Sequence, residues 1–289
     1  MKPLSKFAVI LSSVLLLFAL LVGGLLRLYI NQDWVAPEYE KLDIYARSGF
    51  TVGQAEHVLR AMLDYSIGGI DSLDQVYISG NSGEAFFNQK ELSHMDDVQK
   101  LTVSVMKLGL VSLIAGGLLY VFGIFSLGAN DALKLFAKSF FITLGVVAAF
   151  IIAFGIWIAV DFDSFWTEFH VVFLDLESST FDPAVSNMIR ICPGELFSDI
   201  IGRFALAAGL ALILPVGLCV FYLALKNRED QGDFVTKILL ALYSLSILGY
   251  ISYFLTDIHS FMYAAAPTLF AASVISIVRF IIKRKAKKA

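Results

Sequence analysis

Six long apolar runs dominate the chain and fix what it can fold into. They are Phe7–Ile30, Leu101–Leu127, Leu135–Val160, Ile201–Leu225, Ile238–Leu255 and Phe261–Ile282. A helix needs roughly 20 mainly apolar residues to cross a bilayer core. Only 16% of the 289 residues are charged, against roughly 25% in soluble domains, and a chain of this length cannot bury so much apolar surface in water. The expected fold class is therefore an all-α polytopic membrane protein with about six transmembrane helices. Lys2 and Lys6 give the first run the look of a secretory leader. The run is longer than a typical leader core and no small-x-small site follows it, so it reads as a retained span.

Basic residues set the orientation. Lys2 and Lys6, Lys134 and Lys138, Lys226, Arg228 and Lys237, and the tail from Lys283 to Lys288 all fall on one side of a six-span chain. Basic loops face the cytoplasm, so both termini are expected there. The intervening segments are acidic: Asn31–Gln99 carries 12 acids against 4 bases, and Asp161–Asp199 carries 8 against 1. The basic tail suits lipid headgroups, and no nucleic-acid partner is expected. Cys192 lies in a polar segment and Cys219 within an apolar run, so a disulfide between them is not expected.

Residues 31–99 form the one long polar stretch. A helix is expected over Val52–Tyr65, capped by Ser48 or Thr51, with Val52, Ala55, Val58, Leu59, Met62 and Leu63 on one stripe and Glu56–Arg60 as an i,i+4 pair. Gln75–Ser79, the Gly80–Gly83 turn and Ala85–Asn88 read as a hairpin. Together they make a small α+β cap, extracytoplasmic by the charge rule. The second polar segment, 161–199, is rich in aromatics, including Phe162, Phe165, Trp166, Phe169, Phe173 and Phe181. These suit an interfacial aromatic belt or an aromatic-lined site.

There is no Walker A loop, H-E-x-x-H, G-x-S-x-G or G-x-G-x-x-G sequence, which removes support for phosphoryl transfer, zinc proteolysis, elbow-type serine hydrolysis and dinucleotide binding. The titratable candidates are His57, His94, His170 and His259. His57 reads as a surface residue of the cap helix and His259 as a loop residue. His94 and His170 both stand in polar segments close to a span. Glu91, His94 and Asp97 share one helix face, and Glu168 and Asp175 lie near His170. A neighbouring carboxylate would fix a histidine tautomer and raise its pKa. Spacing alone leaves open whether the two histidines serve a site or only headgroups and helix ends. Lys107 lies in the second run, where a lysine is either functional or snorkels. Arg203 is expected to pair with Asp199 at i,i+4.

The elements Glu91-Leu92-Ser93-His94-Met95-Asp96-Asp97-Val98, Phe169-His170-Val171-Val172-Phe173, Phe181-Asp182-Pro183 and Ile191-Cys192-Pro193-Gly194-Glu195-Leu196-Phe197 together resemble the lipoprotein intramolecular transacylase family, Lit. The resemblance covers about residues 1–226 and implies four spans with an extracytoplasmic cap. Residues 227–289, with two further spans and the basic tail, have no counterpart in it and are candidates for docking or oligomerisation. The resemblance implies a bacterial cytoplasmic membrane, diacylated lipoprotein N-termini and membrane lipids as partners, and no cofactor or metal. It implies that the sn-2 acyl chain of a diacylglyceryl lipoprotein moves to the N-terminal cysteine amine, giving the lyso-form. His94 and His170 would be the catalytic pair, with Asp97 orienting His94, Glu91 supporting it, and Phe165, Trp166, Phe169 and Phe173 lining an acyl pocket. The chain departs from the family at Thr180, where a tryptophan is usual, and at Ser186, where an acid is usual. A non-catalytic scaffold or a small-solute transporter are the alternative readings.

Overall fold

The computed structural model describes residues 2–74, 76, 77, 85–174, 181, 182 and 184–226. The two expected C-terminal spans, the Gly80–Gly83 turn, His259, Asp175 and Thr180 lie outside these residues. The described chain is helical: α1 (Lys2–Ile30), α2 (Val35–Lys41), α3 (Ile44–Ser48), α4 (Val52–Ser66), α5 (Gln89–Leu127), α6 (Ala129–Val160), α7 (Phe162–Phe173), α8 (Asn187–Ile191) and α9 (Gly194–Lys226). Of these, α1, α5 and α6 are long and apolar enough to cross a membrane. The fourth expected span, Ile201–Leu225, falls within α9, a helix of 33 residues.

The 39 residues of α5 extend about 58 Å, roughly twice the thickness of a hydrocarbon core. Its polar start, Gln89–Lys100, therefore projects beyond the apolar stretch that begins at Leu101. Gly128, at φ 83°, supplies the left-handed residue between α5 and α6. Asp161 caps α7 by accepting from the Ser164 N–H at 3.0 Å, which separates α7 from α6.

The chain divides into two compact units. One holds the described residues of Met1–Val14, Leu118–Thr143 and Gly209–Ala289. Within it a side chain at Gly123 would overlap Val9, and the Tyr120 and Phe136 rings meet at 4.9 Å. The other unit, Leu15–Gly117 with Leu144–Ala208, contains the polar segments and the candidate site. There a Cβ on Gly109 would stand 2.7 Å from Val22, so only glycine permits this approach.

The core of this second unit gathers Val35, Tyr39, Ile44, Val58, Phe86 and Ile191, all nearly fully buried. The α4 stripe packs into it through Ala55, Val58, Leu59 and Met62, while Val52, in the first turn, is exposed. Thr51 and Gln54 form a capping box, Glu56 pairs with Arg60 at 3.4 Å, and Gly68 takes a left-handed conformation just past the helix.

Of the expected hairpin, residues 75 and 78–84 lie outside the described residues, and those described hold an antiparallel bridge, Tyr77 to Ala85, with the Phe86 N–H donating to the Val76 carbonyl at 3.0 Å. No strand occurs among the described residues. Consecutive Phe86 and Phe87 are both buried, with rings 4.8 Å apart. The Arg203–Asp199 pair does not form either. Arg203 reaches Glu38 on α2 (Nε to Oε2 2.9 Å), and Asp199 pairs with Lys41 at 2.7 Å. Glu38 is 1% exposed, and a buried carboxylate draws the nearest cations.

Candidate active site

His94 lies on the polar start of α5 and His170 in the last turn of α7. Their rings stack with centroids 5.7 Å apart and planes 18° from parallel. Both residues are buried at 7% exposure. The His170 Nδ1 lies 2.7 Å from the Trp166 carbonyl oxygen one turn earlier. A carbonyl only accepts, so Nδ1 carries the hydrogen, and in the neutral ring the lone pair falls on Nε2. The His94 Nδ1 is buried with no hydrogen-bond partner among the described residues.

His94 lies outside the apolar run of its helix, and its pKa falls to about 4. Burial is the main cause, repulsion from His170 adds to it, and Asp97 pulls the other way. This reverses the expectation that nearby carboxylates raise it, because desolvation outweighs Asp97. The Asp97 carboxylate bonds instead to Lys100 at 3.1 Å. Glu91, 1% exposed, makes no hydrogen bond to His94. It accepts from the Asn88 N–H (2.8 Å), the Ser186 hydroxyl (2.6 Å) and the Met188 N–H (2.9 Å). Ser186, the position of a departure in the sequence, thus supplies the donor that a buried carboxylate needs.

Aromatic rings line the pair. Phe181 meets His94 edge-on at 5.3 Å. Trp166 meets His170 edge-on at 4.6 Å and packs on Phe197 at 4.5 Å. From Trp166 a row runs through Phe169 (5.8 Å), which touches both Phe165 (6.4 Å) and Phe173 (5.1 Å). Phe165 meets Trp157 of α6 at 5.5 Å. The four expected pocket residues therefore form one continuous apolar surface that reaches His170. Phe181 is among the aromatics expected to suit such a site, whereas Phe197, although it lies in a quoted element, is not singled out. His57 is exposed on α4, and Lys107 is exposed on α5. Among the described residues no three His, Cys, Asp or Glu side chains gather as a metal-binding group.

The profile of the lipoprotein intramolecular transacylase Lit family matches residues 9–197. The chain belongs to this family. Its members are membrane acyltransferases that modify lipoproteins, and this chain is a membrane protein of that class. The membrane-integral Lit from Bacillus cereus superposes with a TM-score of 0.65 at 15% identity, covering 78% of this chain and 99% of that one. A variant of the same Bacillus cereus protein with one histidine changed to arginine gives 0.60 at 15% identity, covering 77% and 93%. At this identity the likeness speaks to the fold. No curated protein sequence matches the chain.

Proposed function

We propose that this Lit family member moves the sn-2 acyl chain of a diacylglyceryl-modified lipoprotein to the α-amine of its N-terminal cysteine. The stacked burial of His94 and His170 carries this reading. The reaction needs one group to take a proton from the attacking amine and another to donate toward the ester carbonyl oxygen. His170 suits the base, since its Nδ1–H is committed to the Trp166 carbonyl and its Nε2 lone pair is left for the amine. His94 stays neutral above about pH 4 and suits the donor. The amine nitrogen bonds to the ester carbonyl carbon, the bond from that carbon to the glyceryl oxygen breaks, and the proton taken by His170 passes to the departing glyceryl oxygen. The product is an N-acyl, S-monoacylglyceryl lyso-form of unchanged mass.

Both reacting groups belong to one substrate, so much of the acceleration is positioning. The Phe165–Trp166–Phe169–Phe173 surface holds acyl chains and keeps competing water away from the ester. In this reading the polar segments face the outside and both termini the cytoplasm. Residues 1–226 form the enzyme, and 227–289 add two spans suited to docking or oligomerisation.

The test is tandem mass spectrometry of a lipoprotein N-terminus from bacteria with and without this chain. An isobaric shift of one acyl chain from glyceryl to amine, seen only with the chain, is expected. Identical fragment patterns would reject the proposal.

A further inference from the structure

Phe181 shields one edge of His94, and the way it is held in place points to a positioning device. Asp182, next in sequence, turns the chain: its carbonyl accepts from the Val185 N–H at 3.1 Å and the Ser186 N–H at 2.9 Å, and its carboxylate accepts from the Ala184 N–H at 2.9 Å. Ser186 is tied at 2.6 Å to Glu91, and the Met188 N–H adds a second bond to the same Glu91 oxygen at 2.9 Å. The other Glu91 oxygen accepts from the Asn88 N–H, and the Asn88 side chain accepts in return from the Glu91 N–H, which locks the first turn of α5. Glu91 stands one turn before His94 on that helix. The contacts therefore close a ring: His94, the backbone of α5, Glu91, Ser186, the Asp182 turn, Phe181, and back to His94 at 5.3 Å.

We infer that Glu91 is a positioning residue for the acyl transfer, acting on His94 not by touching it but by clamping the 181–188 segment so that Phe181 covers the imidazole. A buried carboxylate with three donors is rigid because each bond lost leaves a desolvated charge. Ser186 serves as a two-way link, donating to Glu91 while accepting from the Ile189 N–H at 3.3 Å. The clamp fixes the ring orientation of His94 and keeps water from its edge. The inference takes its catalytic consequence from the proposed acyl transfer, while its structural half, the covering of His94, stands apart from that reaction.

The experiment measures His94 carbethoxylation by diethyl pyrocarbonate in the full-length protein in detergent, read by peptide mass spectrometry, with exposed His57 as the internal standard. In the same preparations kcat and KM are measured on a diacylglyceryl-cysteinyl peptide. Glu91→Ala is expected to speed His94 modification relative to His57 by about tenfold and to lower kcat by about tenfold or more, with KM little changed. Glu91→Gln keeps an oxygen acceptor for Ser186 and Met188 but not for the Asn88 N–H, and is expected to recover part of both. Ser186→Ala, a milder change that tests the clamp if Glu91→Ala does not fold, should fall between wild type and Glu91→Ala. An unchanged His94/His57 ratio in Glu91→Ala, or in Ser186→Ala if that alone folds, overturns the inference. If the wild type transfers no acyl chain, the reaction is at fault, and the modification ratios still decide the clamp.

Discussion

His94 and His170 stand 76 residues apart in sequence, yet their rings stack 5.7 Å apart in a buried setting where one donates its Nδ1–H to a main-chain carbonyl and the other has an unpartnered Nδ1 among the described residues. A pair arranged only for packing would be better served by phenylalanine, since each desolvated ring nitrogen carries a cost.

The two rings are assigned different tasks, so the variants should differ in kind. His170→Ala removes the base and is expected to lower kcat by about a hundredfold or more, with folding intact. His170→Gln keeps a side-chain amide able to donate to the Trp166 carbonyl but has no basic nitrogen, so it should be as inactive as His170→Ala. Steady-state kinetics on a synthetic diacylglyceryl peptide checks this, and substantial activity in His170→Gln would move the base elsewhere.

Stability should depend on pH through His94. Its ordinary value of 6.5 falls to about 4 in the fold, chiefly through burial, with repulsion from His170 adding to it. Between those values the unfolded chain binds a proton that the folded chain does not. Stability is then fully present above pH 6.5 and declines as pH falls toward 4, by up to about 3 kcal/mol. Thermal unfolding in detergent across this range should show the decline, and His94→Asn should flatten it. Equal slopes for the two proteins would contradict the burial argument.

Glu38 ties α2 to α9 through Arg203, with Lys41 alongside. Burial pushes its carboxyl up, but hydrogen bonds from Lys41 and Arg203 outweigh that and hold it down near 2. Glu38→Ala leaves Arg203 without its carboxylate and is expected to cost about 3 kcal/mol, read as a lower unfolding temperature. No change would show that the pair is replaceable by water.

The aromatic row should govern which acyl chains are accepted. Phe169 links Trp166 to Phe165 and Phe173. Phe169→Ala is expected to raise KM for long-chain substrates by about tenfold and to leave short-chain ones almost unaffected. Competition between peptides of two acyl lengths, quantified by mass spectrometry, tests this. An equal effect on both would remove the row from acyl binding.

Much of this was legible in the sequence because it is local. Apolar runs marked α1, α5 and α6, the α4 stripe set most of its buried face, and Thr51 was one of the two caps expected for its start. His94 and His170 stood out by residue type and by their place beside spans. What escaped was long-range. Glu91 and Ser186 meet across 95 residues, and Glu38 and Arg203 across 165, so no periodicity links them. The helix α7 was hidden because its aromatics read equally well as a belt. The sign of the His94 shift needed burial, which spacing does not report.

The most direct test of the central claim uses purified wild-type, His94→Ala and His170→Ala proteins on one synthetic diacylglyceryl-cysteinyl peptide with a free amine, followed by tandem mass spectrometry. The wild type should yield a product of identical mass whose fragments carry one acyl chain on the cysteine nitrogen and one on the glyceryl group, and neither variant should yield it. Retention of the acyl shift in both histidine variants, or release of free fatty acid in place of the isobaric product by the wild type, would contradict the account.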